Sequence, residues 1–193
     1  MKRLITKILG IPSAIYNAFA LRYRKVQCQG KLTIHGKLRI FGHGKIVVGD
    51  EVILNSCLSS NPIGGDTQMV ISVKEGAELV IGNRVGISNA AIICHEKIVI
   101  GDRTIIGGGT KIYDSNFHSV DYRERGDYGH ETVVTRPISI GEDVFIGAHC
   151  IILKGVTIGD RSIVAAGSVV TKDIPADEVW GGNPARKIRS QVE

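Results

Sequence analysis

At 193 residues the chain is long enough for one domain with a sizeable core, and an aromatic content of 5% favours a narrow core of aliphatic side chains. No apolar run of about 18 residues is present, which argues against a membrane-spanning helix. The net charge of +5 is unevenly distributed, because residues 1–49 contain ten Lys and Arg residues and no Asp or Glu.

Residues 1–30 are predicted to form a basic helical cap. Pro12 is expected to divide this stretch into two short helical pieces or to open the second one. A cap would cover the open strand edges of the segment that follows. Its positive charge also suits contact with an anionic membrane surface. Nucleic-acid binding is not indicated, since the stretch lacks interleaved aromatic residues and a known motif.

Residues 31–175 are predicted to form a β-helix, because aliphatic residues recur every six positions. A six-residue unit fits a short strand followed by a bend, and three such units close one triangular coil. A β-sandwich would show turns at varied spacing and would not keep one phase. The phase first appears in two upstream sets: Ile34, Ile40, Ile46, Val52 and Leu58, then Ile81, Ile87, Ile93, Ile100, Ile106 and Ile112. The longer step from Ile93 to Ile100 predicts a bulged corner near His95.

The segment 113–139 interrupts the repeat and is predicted to be a long loop. After Ile112 the next corner is due at position 118, but the phase resumes only at Ile140. The interruption is polar, charged and rich in His and Tyr. A long excursion from a rigid scaffold is where binding and catalytic residues are expected.

The most regular repeat begins at Ile140 and predicts the stacking of coils. Residues 18 apart should lie over each other, about 4.8 Å apart. The predicted pairs are Ile140 over Ile158, Ile146 over Val164 and Ile152 over Val170. Residues 176–193 are predicted to be a separate C-terminal tail.

The four cysteines lie far apart and form no CxxC pair. This spacing predicts reduced, mostly structural thiols in a cytosolic protein, with metal binding or a cysteine nucleophile as the alternative. The four are Cys28, Cys57, Cys94 and Cys150.

Three stretches resemble the hexapeptide-repeat acyltransferases: FHSVDYRER, VFIGAHCIILKGVTIGDRSIVAAGSVVTKDIP and WGGNPARKIR. The resemblance covers about residues 30–190 and implies an all-β, left-handed parallel β-helix that assembles as a homotrimer with active sites between subunits. Within the family the chain is most similar to sugar O-acetyltransferases. The first stretch departs from the histidine-proline pattern of the galactoside enzymes, which puts the acceptor in doubt more than the reaction.

The resemblance implies that His118 is the general base, a task that suits an imidazole. A carboxylate or a backbone carbonyl should hold its second nitrogen; Asp114 and Asp121 are near in sequence, and Asp121 is favoured. A salt bridge from Asp121 to Arg123 or Arg125 is the alternative. The predicted contacts with the acceptor are Asn89, Asp114, Arg123 and Arg125. The residues that the resemblance assigns to acetyl-CoA are Ala148, Ala166, Thr171, Lys172, Arg186 and Arg189.

The sequence therefore predicts an acetyl-CoA-dependent O-acetyltransferase that acts on a saccharide, in the cytoplasm or peripherally at the inner membrane face. N-acetylation of a nucleotide-linked amino-sugar or an antibiotic is a second possibility, and a non-catalytic scaffold is a third. No metal is expected, because the histidines do not repeat at the coil spacing. Neither the acceptor nor the position acetylated follows from the sequence.

Overall fold

The computed structural model describes residues 2–63, 68–127 and 130–191, with side chains from Pro12 onward. It begins with helix α1 (Lys2–Tyr23), which is continuous through Pro12. The expectation that Pro12 splits this segment or opens a second helix is therefore wrong. Pro12 lies on the exposed side of α1, where water can compensate for the backbone hydrogen bond that proline cannot make. Among the described residues no helix is long and apolar enough to cross a bilayer.

The rest of the described chain is built from short strands. In chain order they are β1 (Gln27–Cys28), β2 (Leu32–Gly36), β3 (Arg39–Gly42), β4 (Lys45–Val48), β5 (Val52–Ser56), β6 (Val70–Val73), β7 (Glu78–Ile81), β8 (Gly86–Ser88), β9 (Ala91–Cys94), β10 (Lys97–Ile100), β11 (Ile105–Ile106), β12 (Lys111–Tyr113), β13 (Ile138–Ile140), β14 (Phe145–Ile146), β15 (Ile151–Leu153), β16 (Thr157–Ile158), β17 (Ile163–Val164), β18 (Val169–Val170), β19 (Glu178–Gly182) and β20 (Ala185–Ser190).

Every third strand joins the same sheet, so the chain winds as a three-sided coil. Sheet A has the order β1-β4-β7-β10-β13-β16, sheet B the order β2-β5-β8-β11-β14-β17-β19-β20, and sheet C the order β3-β6-β9-β12-β15-β18. Neighbouring strands are parallel except β19 and β20, which form an antiparallel pair. The chain turns at three edges, which we name A–B, B–C and C–A after the sheets they join.

The predicted stacking is confirmed in the regular half. Ile140 pairs with Ile158, Ile146 with Val164 and Ile152 with Val170. The inward side chains of all three sheets form one core of mainly Ile, Val and Leu residues. Because each coil repeats the contacts of the last, the core is a set of aliphatic ladders.

Two upstream positions differ from the prediction. Ile92, and not Ile93, is fully buried and pairs with Ile71 and Ile112, because the step from Ile87 is one residue short. Leu58 is 54% exposed and lies outside the core, because the repeat ends with β5 and the chain leaves the coil there.

The four cysteines are unpaired in the structure. Cys94 and Cys150 are buried in the core, Cys57 is half-buried and Cys28 is exposed. Burial, with a smaller contribution from Asp114, raises the pKa of Cys94 to about 12. Such a thiol stays protonated and unreactive, which fits the predicted structural role.

Both ends of the coil stack carry additional elements. At the N-terminal end, Asn17 of α1 bonds to the Gly36 carbonyl and the Leu38 amide, at 2.8 and 3.0 Å. At the other end, β19 and β20 extend sheet B as a hairpin. The division into segments 1–30, 31–175 and 176–193 stays a prediction. The elements nearest its boundaries are β1, which pairs with β4 of sheet A, and the hairpin.

Candidate functional site

The long loop leaves and re-enters the coil at the C–A edge. It runs from the end of β12 to the start of β13. Ser115 forms an antiparallel bridge with Thr135, and the Arg136 amide donates to the Asp114 carbonyl at 3.0 Å. These contacts close the base of the loop, so its position is fixed by the coil beneath it.

Asp114 connects the loop to the preceding coil. Its carboxylate is fully buried and accepts hydrogen bonds from the backbone amides of His95, Glu96 and Lys97, at 2.7, 2.8 and 3.0 Å. These three amides form the irregular corner that the sequence places near His95. Asp114 is thus a structural clamp, and its predicted contact with the acceptor is not compatible with its burial.

Phe117 fixes the backbone position from which the His118 side chain projects. Its ring packs edge-on against Tyr113 and His95, with ring centroids 5.2 and 5.6 Å away. Its backbone is in the left-handed region at φ 66°, and its amide donates to Ser115 Oγ at 3.0 Å. This turn sends the next side chain outward, and the His118 side chain is 57% exposed.

A buried carboxylate holds the His118 ring. Nδ1 of His118 lies 3.2 Å from Oε2 of Glu131, whose side chain is only 6% exposed. The amides of Gly126 and Ser119 donate to the same carboxylate at 3.0 and 2.9 Å. These amide donors, more than His118, hold the pKa of Glu131 below its usual range, so it stays ionised. A proton on Nδ1 facing this carboxylate leaves Nε2 as the ring nitrogen that can accept a proton.

The partner of His118 is therefore Glu131 and not Asp121, which the sequence favoured. Asp121 binds Arg123, whose Nε lies 3.0 Å from both of its carboxylate oxygens. This ion pair holds the pKa of Asp121 below its usual range. Glu131 is 13 residues from His118, and no repeat or spacing rule marks it. Only its position among the few acids of the loop could have suggested it.

The two arginines of the loop have different surroundings. Arg125 donates from Nε and Nη2 to the carbonyls of Ser119 and Val120, at 3.0 and 3.1 Å. It holds the backbone next to His118, and its predicted contact with the acceptor stays a prediction. Arg123 is 75% exposed and engages only Asp121 among its described ion-pair partners.

A second set of candidate residues lies on the B–C edge. Ala148 is half-buried and Ala166 is exposed; the Gly167 amide donates to the Ala148 carbonyl at 2.8 Å, as coil stacking requires. A Cβ atom on Gly147 would lie 2.5 Å from the Ala166 nitrogen. Close stacking therefore demands glycine at position 147, and the coenzyme role of the two alanines stays a prediction.

Asn89 occupies the same edge beneath a covering segment, residues 57–63. Its side chain is 1% exposed and donates to the Asn61 carbonyl at 3.3 Å. Its backbone φ of 45° is left-handed, which asparagine tolerates at a corner. Contact with an acceptor would require the covering segment to move, so the substrate role of Asn89 stays a prediction.

The remaining candidates for the coenzyme are divided between edges. Thr171 and Lys172 are exposed and follow β18 at the C–A edge. Arg186 pairs with Gly181, close to Ala165 at the B–C edge, whereas Arg189 pairs with Val179 nearer the A–B edge. Both arginine side chains are exposed.

Within one chain, most candidate residues therefore fall into two sets on different edges of the coil. His118, Glu131, Thr171 and Lys172 share the C–A edge, whereas Ala148, Ala166 and Arg186 lie near the B–C edge. The four residues of β9 lie between these edges, which at strand spacing is about 13 Å. The C–A edge of one copy placed beside the B–C edge of another would bring both sets together.

No cluster of three or more His, Cys, Asp or Glu side chains suited to a metal ion occurs within 2–63, 68–127 and 130–191.

Residues 137–172 match the family model described as the hexapeptide repeat of succinyl-transferase. Galactoside O-acetyltransferase of Escherichia coli is 40% identical over 103 residues, which are 52% of this chain and 48% of that protein. The chain thus spans about half the length of the curated relatives it matches.

Solved structures match nearly the whole chain. The hexapeptide-repeat acetyltransferase of Vibrio cholerae, in complex with acetyl coenzyme A, is 29% identical with a TM-score of 0.58, over 96% of this chain and 83% of that one. AntD, an N-acyltransferase of Bacillus cereus, shares the fold, with a TM-score of 0.71 and 24% identity over 91% of this chain and 90% of that one. The predicted left-handed parallel β-helix is confirmed.

Proposed function

Because the chain belongs to the hexapeptide-repeat acyltransferases, we propose that it transfers an acetyl group from acetyl-CoA to a hydroxyl group of a saccharide, with His118 as the general base. The observation that carries the proposal is the exposed His118 imidazole held by the buried Glu131 carboxylate. The likeness to galactoside O-acetyltransferase supports a saccharide acceptor. Polysaccharides, oligosaccharides and lipid-linked precursors all belong to the proposed class.

The proposed reaction is a direct attack. Nε2 of His118 takes the proton of the acceptor hydroxyl as its oxygen attacks the acetyl carbonyl. Backbone amides or a polar side chain stabilise the tetrahedral oxyanion. The carbon–sulfur bond then breaks, and the imidazolium returns its proton to the coenzyme thiolate. Glu131 acts as a positioning residue that also stabilises the transient imidazolium. The proposed reaction needs no acyl-enzyme and no metal.

The assembly in this proposal is a homotrimer with its sites between subunits. The separation of the candidate residues supports this assembly. In one copy the base lies at the C–A edge, whereas Ala148 and Ala166 lie at the B–C edge, on the other side of sheet C. A threefold arrangement would bring these two edges together three times, and sheet C would face the axis.

The coenzyme would lie along that groove. Its pantetheine arm would follow the B–C edge at Ala148 and Ala166, where small side chains expose the backbone. The phosphates would be neutralised by Lys172, Arg186 and Arg189, which are exposed cations, and Thr171 would add a hydroxyl next to Lys172. Arg123, exposed at the loop surface, would contact the acceptor. The proposed location is the cytoplasm, which agrees with four unpaired cysteines.

Replacing His118 with alanine tests the proposal. We expect turnover to fall roughly 10²–10⁴-fold, because the base is lost, while acetyl-CoA affinity is retained. Release of free coenzyme thiol would be measured with acetyl-CoA and a panel of saccharides and amino-sugars. His130→Ala is the matched control, since His130 lies in the same loop, has a side chain that is 82% exposed, and pairs with Asp127 alone among the residues that the structure describes.

Three results would contradict parts of the proposal. Near-normal turnover in His118→Ala would remove that residue from catalysis. Thiol release with amino-sugars alone would favour N-acetylation, the second candidate. No turnover with any acceptor, together with no acetyl-CoA binding, would favour a scaffold.

A further inference from the structure

The outward side of helix α1 is apolar. Ile15, Phe19 and Tyr23 are 67%, 68% and 62% exposed. They are spaced by four residues, which places them along one side of the helix. The Phe19 and Tyr23 rings stack with centroids 6.0 Å apart. Three large apolar side chains thus form one continuous stripe, which we call the α1 stripe.

The inward side of the same helix is partly polar. Asn17 is only 5% exposed and bonds to backbone groups of the first coil. The Tyr16 ring lies 4.1 Å from the ammonium of Lys37. These specific contacts fix the rotation of the helix. Leu21 on this side also packs against the core. The helix is unusual because large apolar side chains remain exposed on its other side, where a surface helix is normally polar.

The charge around the stripe identifies what could cover it. Residues 1–49 contain ten cations and no acid. Arg22 is exposed beside the stripe, and Lys25 is exposed just after the helix. A second copy docking through this helix would bring two strongly basic surfaces together, which like-charge repulsion opposes. An anionic lipid surface would satisfy both the apolar stripe and the cations.

We propose that α1 binds the surface of an anionic bilayer, lying in the plane of the headgroups with Ile15 and Phe19 inserted. Tyr23 suits the boundary, because its ring is apolar and its hydroxyl stays in water. Arg22 and Lys25 would contact lipid phosphates. This inference does not rest on the proposed acetyl transfer. It places the N-terminal end of the coil stack against the membrane.

Vesicle binding by the full-length protein tests the inference. The vesicles would contain equal amounts of phosphatidylcholine and phosphatidylglycerol, with pure phosphatidylcholine for comparison. We expect binding to the anionic vesicles that weakens as salt rises. Phe19→Ser should lower the partition coefficient about tenfold or more, because the ring no longer inserts. Arg22→Glu should weaken binding to the anionic vesicles only.

The matched control is Phe145→Ser, because Phe145 is also exposed, at 46%, but lies on sheet B away from α1. It should bind anionic vesicles like the unaltered protein. Circular dichroism and thermal melting would establish that each variant is folded. Thiol release from acetyl-CoA with a water-soluble acceptor should be unchanged in Phe19→Ser, which separates this test from that of the proposed function.

Two outcomes would overturn the inference. One is equal partitioning of the unaltered protein and Phe19→Ser into anionic vesicles. The other is lipid-free self-association that sedimentation velocity detects and Phe19→Ser abolishes, since the stripe would then bind a second copy.

Discussion

The three sheets of the coil, which we call the coil wall, and the long loop at residues 113–139 are stabilised by different kinds of contact. In the wall the buried side chains are aliphatic, such as Ile106 and Ile112, at 1% and 0% exposure. In the loop the large apolar side chains Val120 and Tyr122 are 72% and 80% exposed, whereas the Glu131 side chain is only 6% exposed. The wall is stabilised by burial of apolar area. The loop is stabilised by carboxylates that accept hydrogen bonds from backbone amides.

This difference separates stability from function. The wall repeats the same contact many times, so removing one ladder member leaves the others intact. Each loop contact occurs once, and the geometry around His118 depends on a few of them. We therefore expect wall substitutions to change the free energy of unfolding and loop substitutions to change turnover.

The largest expected effect comes from the wall. Ile106→Ala should lower the free energy of unfolding by about 2–5 kcal/mol, because it leaves a cavity in a packed ladder. Ile105→Ala is the matched control: it is the preceding residue of β11, is 55% exposed and should cost far less. Urea denaturation at fixed protein concentration would measure both. Equal losses would contradict the ladder as the source of stability.

Asp114 joins the two regions and should behave like the wall. Asp114→Asn should lower the free energy of unfolding by about 2–3 kcal/mol. The reason is that a side-chain amide cannot accept hydrogen bonds from three backbone amides as the carboxylate does. Asp127→Asn provides the comparison in the same loop, because its carboxylate is 70% exposed. Thermal melting would report the difference. An unchanged melting temperature in Asp114→Asn would show that the corner does not need its clamp.

Glu131 should affect turnover without a comparable loss of stability. Glu131→Gln should lower kcat by at least about tenfold with little change in KM, because the imidazole loses its charged partner. The pH dependence of kcat should shift as well, which a purely structural role would not produce.

Glu124→Gln is the matched control for Glu131. Glu124 binds Ser119 Oγ and the Thr132 amide at 2.9 and 3.2 Å within the same loop and does not bond to His118. If both variants lost kcat equally, Glu131 would be one more loop contact and not the orienting residue.

The smallest effects are expected at the proposed coenzyme cations. Lys172→Ala and Arg186→Ala should each weaken acetyl-CoA binding by about threefold to tenfold, and more at low salt, because exposed charges are screened. Lys187→Ala is the control, since Lys187 is committed to Glu178 at 2.6 Å. Calorimetric titration would give the Kd values. Unchanged Kd values for Lys172→Ala and Arg186→Ala would exclude these two residues from the proposed phosphate site.

The sequence by itself determined the scaffold. Inward and outward positions, coil length and stacking register all follow from a six-residue period, because each strand and bend is specified by the residues within it. The prediction was wrong at Ile93, where the preceding step is one residue short, at Leu58, where the chain leaves the coil, and at Pro12, which lies on the exposed side of α1.

Only the tertiary structure decided the chemistry of the loop. That Glu131 faces His118, that Asp114 clamps a different coil, and that the candidate residues occupy two edges are contacts between residues without any common period. Polar contacts across a loop depend on where the backbone returns, and this is fixed by the coil that the loop leaves. The sequence could supply the histidine, but only the folded coil selected its partner.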